Sequence, residues 1–177
     1  MSMRKLAAAI CVFSLSAVPA LAADAPHFGV PAAPARIKAW DISILSDGTN
    51  LPPGKGSVSE GAQIYSEKCQ SCHGANGEGK PADRLTGGVG SLKSPQPVKT
   101  VASYWPYATT LFDYIRRAMP VTHPRSLSDH EAYALTAYIL SIDGIVKKNA
   151  VLDAKSLPKV QMPNRDGFID TQGVAPR

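Results

Sequence analysis

Cysteine is scarce: the 177 residues hold only three, and so small a number cannot build a disulfide framework. A strong excess of one charge is lacking too. Nineteen Lys and Arg against 14 Asp and Glu leave a formal +5, without the clustered cations that mark nucleic-acid binding. No internal repeat is present, which sets solenoids and propellers aside. No segment approaches the ~20 consecutive apolar residues that span a bilayer. Proline and glycine are not lacking, at 15 and 14, and they predict a loop-rich architecture with short helices. With 44% hydrophobic and 19% charged residues the chain lies near globular averages, which excludes collagen and disorder throughout. Its length predicts one domain with a single core.

The first residues read as an export signal. Arg4 and Lys5 precede the apolar run from Leu6 to Val18, and Ala20-Leu21-Ala22 makes a small-x-small cleavage site, so residues 1–22 are expected to be removed. The run is too short for an anchor, and Ala8, Ala9 and Ile10 before Cys11 do not make a lipoprotein acceptor site. Loss of Arg4 and Lys5, with no acid, lowers the net charge from +5 to +3. The expectation is an exported protein with no membrane span after cleavage and no nucleic-acid partner.

Residues 23–56 read as an extended N-terminal arm, with one alternation, Trp40-Asp41-Ile42-Ser43-Ile44, that would suit a strand. Residues 57–144 hold the helical pattern. Gly61, Ile64 and Tyr65 share a face of a helix from Ser59 to Gln70, and residues 74–108 predict a long loop, which a compact domain tolerates when something fills the space it wraps. Leu111, Tyr114, Ile115 and Ala118 give a second apolar face behind a possible Thr110/Asp113 capping box, stopping at Met119-Pro120. Leu135, Tyr138, Ile139 and Ile142 give a third, behind Ser128/Glu131 and ended by Gly144. Residues 145–177 show no sustained period and read as a surface-running C-terminal tail.

The chemistry is concentrated in Cys69-Gln70-Ser71-Cys72-His73, whose spacing sets two thiols and an imidazole on one side of a helical turn. This is the attachment signature of c-type haem, in which the thiols add to the vinyl groups and the His ligates iron. The rivals are weaker. A thioredoxin-like pair needs a βαβ setting, zinc needs a fourth ligand, and a plain Cys69–Cys72 disulfide would leave His73 and the wrapping loop without a role. For the sixth ligand Met119 is favoured by its place at a helix end before a Pro, with His123, Met162 and an open position as alternatives. Tyr104 and Trp105 combine apolar bulk with a donor and would hold the haem propionates, or simply pack the core. Arg116 and Arg117 would pair with propionates or face solvent.

The order of first helix, haem motif, wrapping loop, Met-Pro and last helix resembles the class I c-type cytochromes across Ser57 to Ile142, with Gly61, Tyr65 and Tyr138 at the places where that family's first and last helices cross. A longer resemblance is carried by Ala39-Trp40-Asp41-Ile42, Leu51-Pro52-Pro53-Gly54, the run from Tyr104 to Tyr114 and Met162-Pro163-Asn164-Arg165-Asp166-Gly167-Phe168. It is to the cytochrome subunit of molybdenum-dependent sulfane and sulfite dehydrogenases of bacterial sulfur oxidation. The resemblance implies an all-α class I cytochrome c fold wrapping one covalent haem c, with His73 and Met119 on iron. It also implies a periplasmic carrier of single electrons from a molybdenum-containing sulfite or sulfane dehydrogenase to a downstream cytochrome or oxidase. Two departures stand out. One haem motif is present where that subunit carries two haem domains, and Ala82-Asp83-Arg84 separates Pro81 from Leu85, which leaves the acceptor of the His73 Nδ1 proton unassigned. With both axial positions filled, iron has no place for substrate, and outer-sphere electron transfer remains. The alternatives are a haem enzyme with an exchangeable sixth ligand and a general periplasmic carrier unrelated to sulfur.

Overall fold

The computed structural model describes residues 28–169 and 171. The expected signal at 1–22 lies outside them. The chain divides into two compact units, Met1–Trp40 and Asp41–Arg177.

In the first unit, Pro34–Trp40 forms a seven-residue helix, α1, none of whose residues is buried. Pro34 presets the φ of a first helical position, and the Ile37 N–H donates to the Ala33 carbonyl at 3.1 Å. This corrects the reading of the arm as extended throughout, and Trp40 ends a helix rather than opening a strand.

In the second unit, residues 41–45 keep the alternation without forming a strand, because no neighbouring strand pairs with them. Ile42 and Ile44 are half-buried, while side chains reach the backbone carbonyls: Asn50 donates to Ser43 at 3.0 Å and Arg117 to Ile42 at 3.3 Å. Strand β1 (Lys55–Ser57) leads into helix α2 (Val58–Lys68), followed by a single turn, α3 (Gln70–His73). Ser57 accepts from the Glu60 N–H at 3.2 Å and the Glu60 carboxylate accepts from the Ser57 N–H at 2.8 Å, a reciprocal cap that fixes where α2 begins. The wrapping loop holds one 3₁₀ turn and a short helix, α4 (Val101–Tyr104). Helices α5 (Ala108–Ala118) and α6 (Asp129–Ile142) follow at nearly the predicted bounds.

The Ser128/Glu131 cap of α6 forms as expected. The Thr110/Asp113 cap of α5 does not: α5 starts earlier, at Ala108, and Asp113 instead pairs with Arg117 one turn on, at 2.8 Å. Helix α2 packs chiefly on α6. A Cβ on Gly61 would stand 2.0 Å from the Ala134 carbonyl oxygen, so the crossing requires the bare backbone that glycine supplies. The Tyr65 and Tyr138 rings meet beside it at 5.1 Å.

The tail departs from expectation. Strand β2 (Val151–Asp153) pairs antiparallel with β1, Gly56 opposite Leu152, and Leu152, Leu157 and Met162 are all buried in the core. Their spacing of five residues follows neither the strand nor the helix period, so periodicity could not show it. Among the described residues no helix is long and apolar enough to cross a membrane.

Candidate haem site

Helix α2 gives way at Cys69, and the turn α3 carries Cys72 and His73, whose N–H groups donate to the Cys69 carbonyl at 3.1 and 3.0 Å. Gly74 ends the turn at φ +82°, and its carbonyl accepts from the Tyr65 hydroxyl at 2.8 Å, which ties the motif to the crossing of α2 and α6. The chain then folds back on the motif. The Ala82 N–H donates to Cys72 and the Gly79 N–H to His73, at 2.9 and 2.8 Å.

That return brings the Asp83 carbonyl to 2.9 Å from His73 Nδ1. A carbonyl can only accept, so Nδ1 carries the proton and Nε2 presents its lone pair, the arrangement that orients a metal-binding imidazole. The acceptor left unassigned in the sequence is therefore a main-chain oxygen of the Ala82-Asp83-Arg84 stretch.

Further along, the Leu85 carbonyl accepts from the Val101 N–H at 3.1 Å and the Gly87 carbonyl accepts from the Thr100 hydroxyl at 2.7 Å. Asp143, at the end of α6, accepts from the Gly87 N–H at 2.9 Å. The wrapping loop is thus fixed by its own hydrogen bonds and by α6.

Inside it lies a cavity of about 580 Å³, within the range of cofactor pockets. Cys69, Cys72, His73 and Met119 all line it, as does Trp105. Leu85, Val101, Leu111, Ile115, Leu135 and Ile139 supply apolar wall, and Pro120, Val121 and Thr122 carry the lining on from Met119.

Other predicted residues lie elsewhere. Tyr104 is not part of the lining; its ring packs edge-on against Phe168 at 5.2 Å and carries Lys99 over its face at 5.0 Å. Met162 is buried in the core at 3% exposure, and His123 is exposed and bonded to Thr122, so neither faces the cavity. Arg116 and Arg117 are engaged by Asp129 and Asp113, at 2.6 and 2.8 Å. The cations that do line the cavity are Lys68, Arg84 and Lys99, of which Lys99 belongs to the wrapping loop, and Tyr114 joins them from the face of α5.

The two cysteines are free thiols in the structure. Burial pushes the Cys69 thiol up to about 11, so it is uncharged at neutral pH, unlike the low-pKa cysteines of disulfide exchange. Burial likewise pushes the Tyr65 hydroxyl up to about 12. Two thiols at attachment spacing, an imidazole of the right tautomer and a thioether share one largely apolar cavity. These residues fit a covalently held haem.

Comparison with known proteins agrees. The Cytochrome c family model matches residues 58–143. A chain in the crystal structure of the sulfane dehydrogenase SoxCD from Paracoccus pantotrophus is 41% identical with a TM-score of 0.77, over 84% of this chain and 73% of that one. The chain therefore belongs to the cytochrome c family, with the class I fold and haem c as its cofactor. Within that family it is similar to the SoxCD chain across most of its length, beyond the haem domain itself. Thiosulfate dehydrogenases of Stutzerimonas stutzeri (strain A1501) and Psychrobacter arcticus (strain DSM 17307 / VKM B-2377 / 273-4) are 32% and 29% identical over 93 residues, 51% and 52% of this chain. Those stretches are 29% and 28% of the curated relatives, so the match takes in less than a third of their length.

Proposed function

We propose that this haem electron carrier takes single electrons from a molybdenum-containing sulfite or sulfane dehydrogenase in the periplasm and passes them to a downstream cytochrome or oxidase. The observation that carries the electron-transfer reading is that His73 and Met119 line one cavity with Cys69 and Cys72. Haem bound there supplies a one-electron couple between ferric and ferrous iron. Cys69 and Cys72 would hold the group by thioether bonds and His73 and Met119 would ligate its iron, which would leave electron transfer as its chemistry. The apolar wall from Leu85 to Ile139 excludes water and favours the less charged, reduced state. Trp105 and Tyr114 meet edge to face at 5.7 Å in the lining, which makes one wall of the cavity aromatic.

The donor is supported by the 41% identity to a chain of a sulfane dehydrogenase. Export rests on the Arg4-Lys5 start, the apolar run and Ala20-Leu21-Ala22. A second reading, chemistry on thiosulfate at an exchangeable sixth position, is favoured by the name the curated relatives carry.

One experiment separates the two. The oxidised protein is mixed with sulfite or thiosulfate, with and without a molybdenum sulfite or sulfane dehydrogenase, and haem reduction is followed by absorbance. Reduction only when dehydrogenase and its substrate are both present is expected. Reduction by thiosulfate alone favours the enzyme reading, and no reduction under any condition removes sulfur dehydrogenases as donors.

A further inference from the structure

Helix α4 ends where the chain enters the haem cavity. The last carbonyls of a helix have no partner within it, and Pro106 has no N–H to offer one. Trp105 is extended, at φ −71° and ψ 131°, as a residue before proline tends to be. The Tyr104 carbonyl is taken by the far end of the chain: Asn164 Nδ2 donates to it at 2.7 Å, across a separation of 60 residues.

Two further contacts flank this bond. Phe168 packs on the Tyr104 ring at 5.2 Å, and the Arg165 guanidinium lies over the Tyr107 ring at 5.3 Å. The donor is itself held. The Asn164 carbonyl accepts from the Gly167 N–H at 3.1 Å, and a Cβ on Gly167 would stand 1.8 Å from Asn164 Oδ1. The stretch 162–168 thus grips Tyr104 and Tyr107. Between them stands Trp105, in the cavity lining. None of these gripping residues falls within the stretch 58–143 that the family model matches.

We propose that Asn164 is a positioning residue for the haem. Acting through the Tyr104 carbonyl, it seats Trp105 in the cavity wall and keeps that wall dry, which raises the electron affinity of the bound group. The proposal depends on the haem cavity and not on the identity of the electron donor.

The residue type matters because the bond needs a donor. An ionised Asp has the same shape and only accepts, whereas a protonated Asp donates again. The test uses haem-loaded protein in a Trp40→Phe background, in which Trp105 is the one remaining tryptophan of the two in the chain. Asn164→Asp removes the donor, and Gly167→Ala displaces the amide while keeping it. At pH 7 both variants are expected to bind the electron twofold to tenfold more weakly than the parent, a fall of up to about 59 mV for one electron. Trp105 emission should rise as the indole moves from the haem, and the sulfur-to-iron charge-transfer band should persist.

On acidification below about pH 4, where an ordinary Asp protonates, the Asn164→Asp difference from the parent should shrink while that of Gly167→Ala does not. Potentials and emission equal to the parent in both variants overturn the proposal, even where melting temperature falls, because the tail is then structural only. An Asn164→Asp shift with Gly167→Ala silent overturns it as well, since the effect then belongs to the new charge if it vanishes in acid and to local packing if it persists.

Discussion

The His73 ring is oriented by one main-chain oxygen: with Nδ1 donating to Asp83 at 2.9 Å, it cannot rotate without losing a partner. Met119 ends α5, with its N–H on the Ile115 carbonyl at 3.1 Å, so its side chain is delivered to the cavity from a fixed helix end. Met119→Ala is expected to abolish the near-infrared sulfur-to-iron band and to lower the reduction potential. Met162→Ala should leave both unchanged and instead cost about 2–5 kcal/mol in denaturant unfolding, because the side chain is 97% buried in the core, at 3% exposure. The opposite pattern in the two spectra would place the ligand in the tail. At this scale the meeting of Cys69, Cys72, His73 and Met119 at one cavity was legible, because the motif has a fixed local spacing and Pro120 stops the helix at Met119. Asp83 was not, because any residue offers a carbonyl. Arg84 was not, because only the folded loop brings it to the cavity wall.

Among the elements, the crossing of α2 and α6 is the tightest approach. Gly61→Ala would place a methyl 2.0 Å from the Ala134 carbonyl, and overpacking of this kind typically costs about 1–3 kcal/mol, to be read as a lower denaturant midpoint. Gly61 was readable because a glycine inside an otherwise good helical pattern asks for a packing reason. The start of α6 gives a pH prediction. The Lys68 ammonium, followed by the Ser128 N–H, holds the Glu131 carboxyl at about 2 against an ordinary 4.5. The folded value lies below the unfolded one, so this stabilisation is complete above about pH 4.5 and is lost as the pH falls towards 2. The pair is partly solvated, which reduces it to about 1 kcal/mol. Glu131→Gln should lower thermal stability by that amount at pH 7, with the difference gone near pH 2. The Ser128/Glu131 cap was legible because it is local, whereas Thr110/Asp113 misled because Asp113 found a better partner in Arg117.

For the whole molecule, the stretch after α6 completes the fold. Leu152, Leu157 and Met162 are buried, and each such side chain contributes about 1.5–3 kcal/mol, so together they are comparable to the 5–15 kcal/mol that holds a typical domain folded. A chain truncated before Val151 should therefore lose cooperative unfolding by near-UV circular dichroism and accumulate little covalently loaded protein. Survival of a cooperative, haem-loaded truncation would show that α2, α5 and α6 suffice. The three-helix plan was legible from periodicity and the haem from its motif, but the closing of the tail on the core has no period to announce it. The pairing of Lys55–Ser57 with Val151–Asp153 reaches further. It brings the strand that leads into the haem-bearing body and the strand that follows it through one doorway, side by side. The doorway is not the edge of that body, because Leu157 and Met162 lie beyond it in the core, so another module can be joined without opening the core only outside the segments that pack on it.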